Sequence, residues 1–145
     1  MTSGLAIIFA AVSTTHHLPV DLLPAVCWHE SKHDASAYRK KDGKKGDPKP
    51  TPSIGVCQLK LATARQMGFK GTAKELMKPD INIEIAGAYL AWQIKRYTNR
   101  RTAVPDYSKA VTAYNQGTTY GSGGSTYLAF VFNAWVIKPW VENDR

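Results

Sequence analysis

The sequence predicts a mainly α single domain, broken once by an irregular basic lobe. Three observations carry this reading. Apolar residues recur at three-and-four spacing in several separate segments, the pattern of helices with a core-facing stripe. One stretch, Tyr38 to Pro52, contains Lys, Asp, Gly and Pro without any periodicity. No internal repeat and no second domain interrupts the 145 residues, so residues 1–145 are expected to fold as one unit with a proper core.

The elements follow in order. Residues 3 to 15 read as a short apolar helix ended by His16-His17-Leu18-Pro19. Its apolar run, Leu5 to Val12, is far too short to span a bilayer, and no Lys or Arg precedes it as a secretory signal would require. No stable membrane insertion is therefore expected. A second helix runs from Pro19 to Lys32, with Asp21 as an acidic N-cap and Pro24 near the start. Leu22, Leu23, Val26 and Cys27 form its stripe, and Glu30 falls on the same stripe: seven on from Leu23, four from Val26, three from Cys27. A Glu in water has a pKa near ~4.3, and apolar surroundings raise it because the charged form loses solvation. Such a residue can hold a proton at neutral pH and donate it. A Glu that rotates out to solvent at a helix end is the alternative.

Tyr38 to Pro52 is a loop with room for a brief hairpin, followed by a tight apolar segment, Ser53 to Leu59. Short helices are predicted over Thr63–Met67, stopped at Gly68, and over Thr72–Met77, stopped before Pro79. Asp80 or Asn82 then caps the strongest helix, running to about Arg100. Ile83, Ala86, Leu90, Ile94 and Tyr97 form one apolar line on it, and Ile85, Tyr89 and Trp92 a second, as in a helix buried at the centre of a domain. A helix over Tyr107–Asn115 closes at Gly117, and a Gly/Ser-rich turn, Gly121 to Ser125, leads to a last helix carrying Tyr127, Leu128, Val131 and Trp135.

The composition, 43% hydrophobic and 21% charged, is that of an ordinary soluble globular protein. A net charge of +8 favours an anionic partner. The cations cluster at Arg39, Lys40, Lys41, Lys44, Lys45 and Lys49, and again at Lys95, Arg96, Arg100 and Arg101. No nucleic-acid motif accompanies them, so a nucleic-acid partner is not expected; a solvated loop and an envelope-binding patch both fit the first cluster. Two cysteines, Cys27 and Cys57, make neither a disulfide scaffold nor a zinc cluster. Both fall at core-facing positions, which makes buried thiols the default and a single bridge the alternative.

Three short segments stand out together: Glu30-Ser31, then Ser53-Ile54-Gly55-Val56-Cys57-Gln58-Leu59, then Ala113-Tyr114-Asn115-Gln116-Gly117. In this order they resemble the soluble lytic transglycosylase (SLT) domain family. Intervening landmarks agree: Ala64, Gly68, Leu76, Pro79, Asn82-Ile83, Gly87, Tyr89-Leu90, Tyr127 and Val131. The resemblance covers about Leu5 to Ile137. The stretch from Glu30 to Gln58 is longer than the family leads one to expect, the excess lying in the Lys/Gly/Pro loop.

The resemblance implies an α+β, lysozyme-like fold and cleavage of peptidoglycan glycan strands. Glu30 would be the catalytic acid and then base, giving 1,6-anhydromuramoyl ends, with Ser31, Gln58, Tyr114 and Asn115 binding substrate. It calls for no cofactor and no metal. It also places Gln58 in one cleft with Glu30, so that Cys27 and Cys57 are expected to be neighbours. A bridge between them would stabilise by ~3–4 kcal/mol on the chain-entropy estimate. A monomer is expected, acting on the wall and attached to the anionic envelope through the basic loop 39–49. The small size and charge suit a phage lysin or virion-borne enzyme, with an accessory enzyme of a secretion machine as the other candidate.

Two rivals stay open on sequence alone. A hydrolytic muramidase of the same fold needs a second carboxylate, for which Asp34, Asp42 and Asp47 lie in the right lobe. His29-Glu30-Ser31-Lys32-His33 also reads H-E-x-x-H, the zinc-peptidase helix. No His follows His33, and Ser36 and Arg39 stand where the extended motif has Gly and His, so zinc proteolysis is a distant alternative.

Overall fold

The computed structural model describes residues 1–42, 50–116 and 124–142, without the side chain of Glu142. Eight helices and one hairpin appear in the described residues: α1 (Ser3–Thr15), α2 (Leu22–Ser31), β1 (Tyr38–Asp42), β2 (Thr51–Ile54), α3 (Leu61–Gln66), α4 (Ala73–Leu76), α5 (Pro79–Arg96), α6 (Tyr107–Gln116), α7 (Gly124–Ile137) and α8 (Pro139–Glu142). The mainly α reading holds.

Helix α2 is the centre because its sequence leaves it no polar side for most of its length. Leu22, Leu23, Ala25, Val26 and Cys27 are all fully buried. Helices α1, α5 and α7 pack around it, while α6 joins α5 to α7. Asp21 does occupy the N-cap position of α2, but with φ of 62° and no capping hydrogen bond. Its carboxylate instead pairs with Lys138 Nζ at 2.7 Å, fastening α2 to the far end of the chain.

Helix α5 departs from expectation at both ends. It starts at Pro79, with Lys78 as N-cap, rather than at Asp80 or Asn82, because a proline at the first helical position gives up no hydrogen bond. It stops at Arg96 rather than near Arg100. The chain turns back there, pairing Thr98 with Pro105, and Asn99 Oδ1 accepts from the Arg101 and Thr102 amides. One of its predicted lines is core for most of its length: Ile83, Ala86 and Leu90 are buried, while Ile94 is half-buried and Tyr97, also half-buried, falls at the C-cap beyond the helix. The other ends in solvent, since Trp92 is 39% exposed. Helix α1 lies so close to α5 that a Cβ on Gly87 would come within 2.3 Å of Val12 Cγ1.

The brief hairpin exists: β1 and β2 pair antiparallel, Tyr38 opposite Ile54 and Asp42 opposite Thr51, with an irregularity between Arg39 and Asp42. Residues 43–49, with Lys44, Lys45, Asp47 and Lys49, lie outside the described residues, as do Gly117 and most of the Gly121–Ser125 turn. Helix α8 was not foreseen. It follows Lys138, held at φ 48°, and inserts Trp140 (2% exposed) beside Trp28 and His33. Among the described residues no helix is long and apolar enough to cross a membrane.

Candidate active site

The turn that carries Gln58 is held at nearly every residue. Gly55 N–H donates to Ala37 O (2.8 Å), and the Ser31 hydroxyl donates to Val56 O (2.6 Å). Cys57 N–H donates to Asn82 Oδ1 (2.8 Å), and Tyr114 O–H donates to Cys57 O (3.1 Å). Asn82, one of the two residues expected to cap α5, is thus a fully buried interior residue whose amide also donates to Ile54 O and Leu76 O, each at 2.9 Å. Gly55 must be glycine there: its φ is +76°, and a Cβ would meet Asn82 Nδ2 at 2.5 Å. Cys57 is bridged to Cys27, with Cα atoms 4.3 Å apart. The neighbour expectation holds, and the default of two free thiols gives way to the bridge. Helices α2, α5 and α6 all converge on this one turn.

Against it sits Glu30, 8% exposed in the last turn of α2. Burial raises its pKa to about 7; hydrogen bonds from Tyr127 and Asn115 and the charge of Arg39 oppose the rise, while the charge of Asp42 adds to it. Tyr127 O–H donates to Glu30 Oε1 at 2.8 Å. Arg39, counted in sequence with the solvated cations, donates to the Glu30 backbone carbonyl at 2.8 Å. The solvent-turned Glu is thereby ruled out.

A cavity of about 250 Å³ is lined by Glu30, Asp42, Ser53, Gln58, Tyr114 and Asn115, with Lys60, Thr63 and Tyr89 among the rest of its wall. Three of the four expected substrate-binding residues therefore share it with Glu30. Their chemistry differs. Gln58 donates from Nε2 to Gly55 O (2.9 Å) and Ala37 O (3.2 Å), leaving a buried Oε1 without a partner among the described residues, an open acceptor. Asn115 is exposed and hydrogen-bonds the Glu30 carboxyl. Tyr114 lends the cavity a ring, but its hydroxyl is committed to Cys57. Ser31 is not on the cavity wall; its hydroxyl serves Val56 O and accepts from Asp34 N–H (3.1 Å).

Sequence reasoning missed two contributors, Tyr127 and Arg39. Tyr127 stands in the sequence as a residue of the last helix and a landmark of the resemblance, with no role assigned, and nothing local ties it to a residue 97 positions earlier. Asp42 was one of three candidate carboxylates, and the structure separates them. Asp42 lines the cavity, accepting from Ser53 O–H at 2.5 Å. Asp34 is exposed and engaged with Ser36 N–H and O–H at 2.8 and 2.7 Å. Asp47 lies outside the described residues.

The H-E-x-x-H spelling does not survive folding. Helix α2 ends at Ser31, and Lys32 and His33 take φ of 59° and 62°, so His33 does not continue the helical face of His29. The His33 ring is buried against Phe9, Trp28 and Trp140, its Nε2 bonded to Pro24 O at 2.8 Å. His29 instead packs on Tyr127 and Phe130. Among the described residues no three His, Cys, Asp or Glu side chains gather as a metal site.

A mainly helical domain with a small hairpin lobe, and a buried carboxyl set between the two, defines the lysozyme-like class. The model of the transglycosylase SLT domain family matches residues 7–121, and the chain belongs to that family. No curated protein matches it. Membership makes this a lytic transglycosylase-type enzyme whose substrate is the peptidoglycan of the cell wall.

Proposed function

We propose that Glu30 cleaves the N-acetylmuramic acid–N-acetylglucosamine linkage, first as acid and then as base. The observation that carries this is a carboxyl with a pKa of about 7, the one buried acid among the described residues, on a cavity lined by amide side chains. At neutral pH about half of such groups hold the proton needed by the glycosidic oxygen. The C–O bond then breaks with its electrons on the leaving sugar, which takes that proton. The substrate's 2-acetamido group stabilises the cationic carbon, which is how one carboxyl can suffice. Glu30, now ionised, takes the proton of the muramoyl 6-hydroxyl as that oxygen closes onto C1. The product is a 1,6-anhydro end, and no water is consumed.

Gln58 and Asn115 are suited to hold the acetamido and hydroxyl groups: one offers a free buried acceptor, the other an exposed amide beside the acid. Tyr114 supplies ring surface, and Ser31 acts by fixing the end of α2 to the Gln58 turn. The Cys27–Cys57 bridge suits work in an oxidising space such as the wall compartment. Attachment to the anionic envelope through the basic loop 39–49 would draw on the exposed Lys40 and Lys41.

One observation favours a second reading. Asp42 stands on the same cavity, and a carboxylate opposite the acid can activate water. The enzyme would then be a muramidase that leaves reducing ends. Mass spectrometry of digested sacculi separates the two: anhydro ends are expected, and reducing ends alone would transfer the role of base to Asp42.

A further inference from the structure

The second basic cluster, at the end of α5, is not used by the site described above. It borders a groove of about 890 Å³ lined by Trp92, Lys95, Arg96 and Arg100, with His16 and Asn99 on its wall. No carboxylate lines it among the described residues, and Glu84, the acid that meets its wall at His16, is engaged there at 2.6 Å. Trp92 is 39% exposed, which is unusual for the end of an apolar helical line. The Arg96 guanidinium lies 5.5 Å from its ring centroid and 5.2 Å from that of Tyr97, so aromatic and cationic surface are combined in one place.

This groove shares no lining residue with the Glu30 cavity, yet the two are joined. Tyr89 belongs to the cavity wall and Trp92 to the groove, and their rings stack with centroids 6.0 Å apart and planes 15° apart. From Tyr89 to Arg96 is two turns of α5, about 10 Å at 1.5 Å per residue. That is room for a short run of sugars leaving the cleft.

We infer that the Trp92–Lys95–Arg100 groove is a second holding surface for the wall polymer. A sugar ring lies on Trp92 by its C–H face, and carboxylates of the peptides borne by muramic acid meet Lys95 and Arg100. The inference rests on the peptidoglycan reading above and adds to it a place outside the cleft. Its purpose is residence. An enzyme whose substrate is an insoluble network is retained by a second contact, which raises the local concentration of glycan at the first.

The test is binding of full-length Glu30→Gln protein to purified sacculi stripped of covalently attached phosphate polymers. Adding Lys95→Gln with Arg100→Gln should weaken binding about three- to tenfold at low salt, the combined weight of two exposed cations. The difference should fade at high salt. Lys70→Gln with Lys74→Gln, the same loss of charge elsewhere on the surface, should leave binding unchanged. Trp92→Ala should weaken binding and Trp92→Phe should retain it, which reads the platform independently of charge.

Unchanged binding in the groove variants overturns the inference. An equal loss in the Lys70 and Lys74 control overturns it too, because net charge would then be the whole effect. A loss confined to walls that keep their phosphate polymers assigns the groove to a polyphosphate ligand and overturns it as well. Failure of the protein with Glu30 intact to release cleaved glycan from the same sacculi would sink the enzymatic reading alone, since the groove is judged on binding.

Discussion

The last turn of α2 and the bend after it bury two titratable groups three positions apart, and their surroundings could hardly differ more. Glu30 is 8% exposed and His33 is 7% exposed. Glu30 meets Tyr127 and Asn115 on a cavity that also holds Asp42 and Gln58. His33 meets Phe9, Trp28 and Trp140, with Nδ1 left without a partner among the described residues. Burial shifts both: Glu30 up to about 7, His33 down to about 4. A perturbed pKa therefore marks burial, and only the convergence of polar groups on a reachable cavity marks chemistry. His33 is a packing residue.

The hardest blow to that contrast is Glu30→Gln. It should lower glycan cleavage on the order of 10²–10⁴-fold, the usual worth of a general acid, with the fold intact. Release of soluble muropeptides from sacculi measures it. Retention of more than about a tenth of the activity would move the acid elsewhere.

Next in size is the bridge that backs the site. Replacing Cys27 and Cys57 together by Ala opens a loop with a sequence separation of 30 and should cost roughly 3–4 kcal/mol of stability. Chemical denaturation of the oxidised protein and the double variant gives the difference. A change below about 1 kcal/mol would show that the hydrogen bonds to Cys57 hold the turn by themselves.

The two buried groups should also oppose each other in stability. Glu30 has its pKa raised from 4.5 to about 7, so its contribution is fully present below pH 4.5 and is lost as pH rises through 7. His33 has its pKa lowered from 6.5 to about 4, so its contribution is fully present above pH 6.5 and is lost as pH falls through 4. Between pH 4.5 and 6.5 the two slopes cancel. In Glu30→Gln, stability should climb with pH across that window, and in His33→Phe it should fall, each by roughly 2–3 kcal/mol. Parallel slopes in the two variants would break the comparison.

The smallest effect expected is that of Tyr127→Phe. Loss of its hydrogen bond removes one influence that holds the Glu30 pKa down. The alkaline limb of the pH–rate profile should move upward, with a rate loss of about two- to tenfold, the worth of one hydrogen bond. An unmoved limb would make Tyr127 merely structural.

What the sequence disclosed is what local pattern can carry. The stripe through Leu23, Val26 and Cys27 pointed at Glu30 because helical period is a local property. Gln58 and Asn115 were found through motif order, and both line the cavity. Asn82 was misread as a cap, since an Asn at a helix start looks the same whether it caps or is buried to hold a distant turn. Tyr127 and Arg39 escaped assignment for the same reason: each acquires its role from a partner on another element, and periodicity does not encode partners. Helix α8 is a single turn behind a left-handed Lys138, too short to leave a periodic trace.

Gln58 has φ of 49°, in the left-handed region that only glycine enters freely. A glycine at this position would relieve backbone strain on the order of 1 kcal/mol, but it would give up both hydrogen bonds from Nε2, to Gly55 O and Ala37 O. The chain keeps an amide there instead, pinned by two carbonyls and with its oxygen left over. The same side chain therefore offsets the strain of its own backbone and still presents an acceptor to the cleft, so that in a laboratory evolution run neither thermal resistance nor activity would readily release this codon.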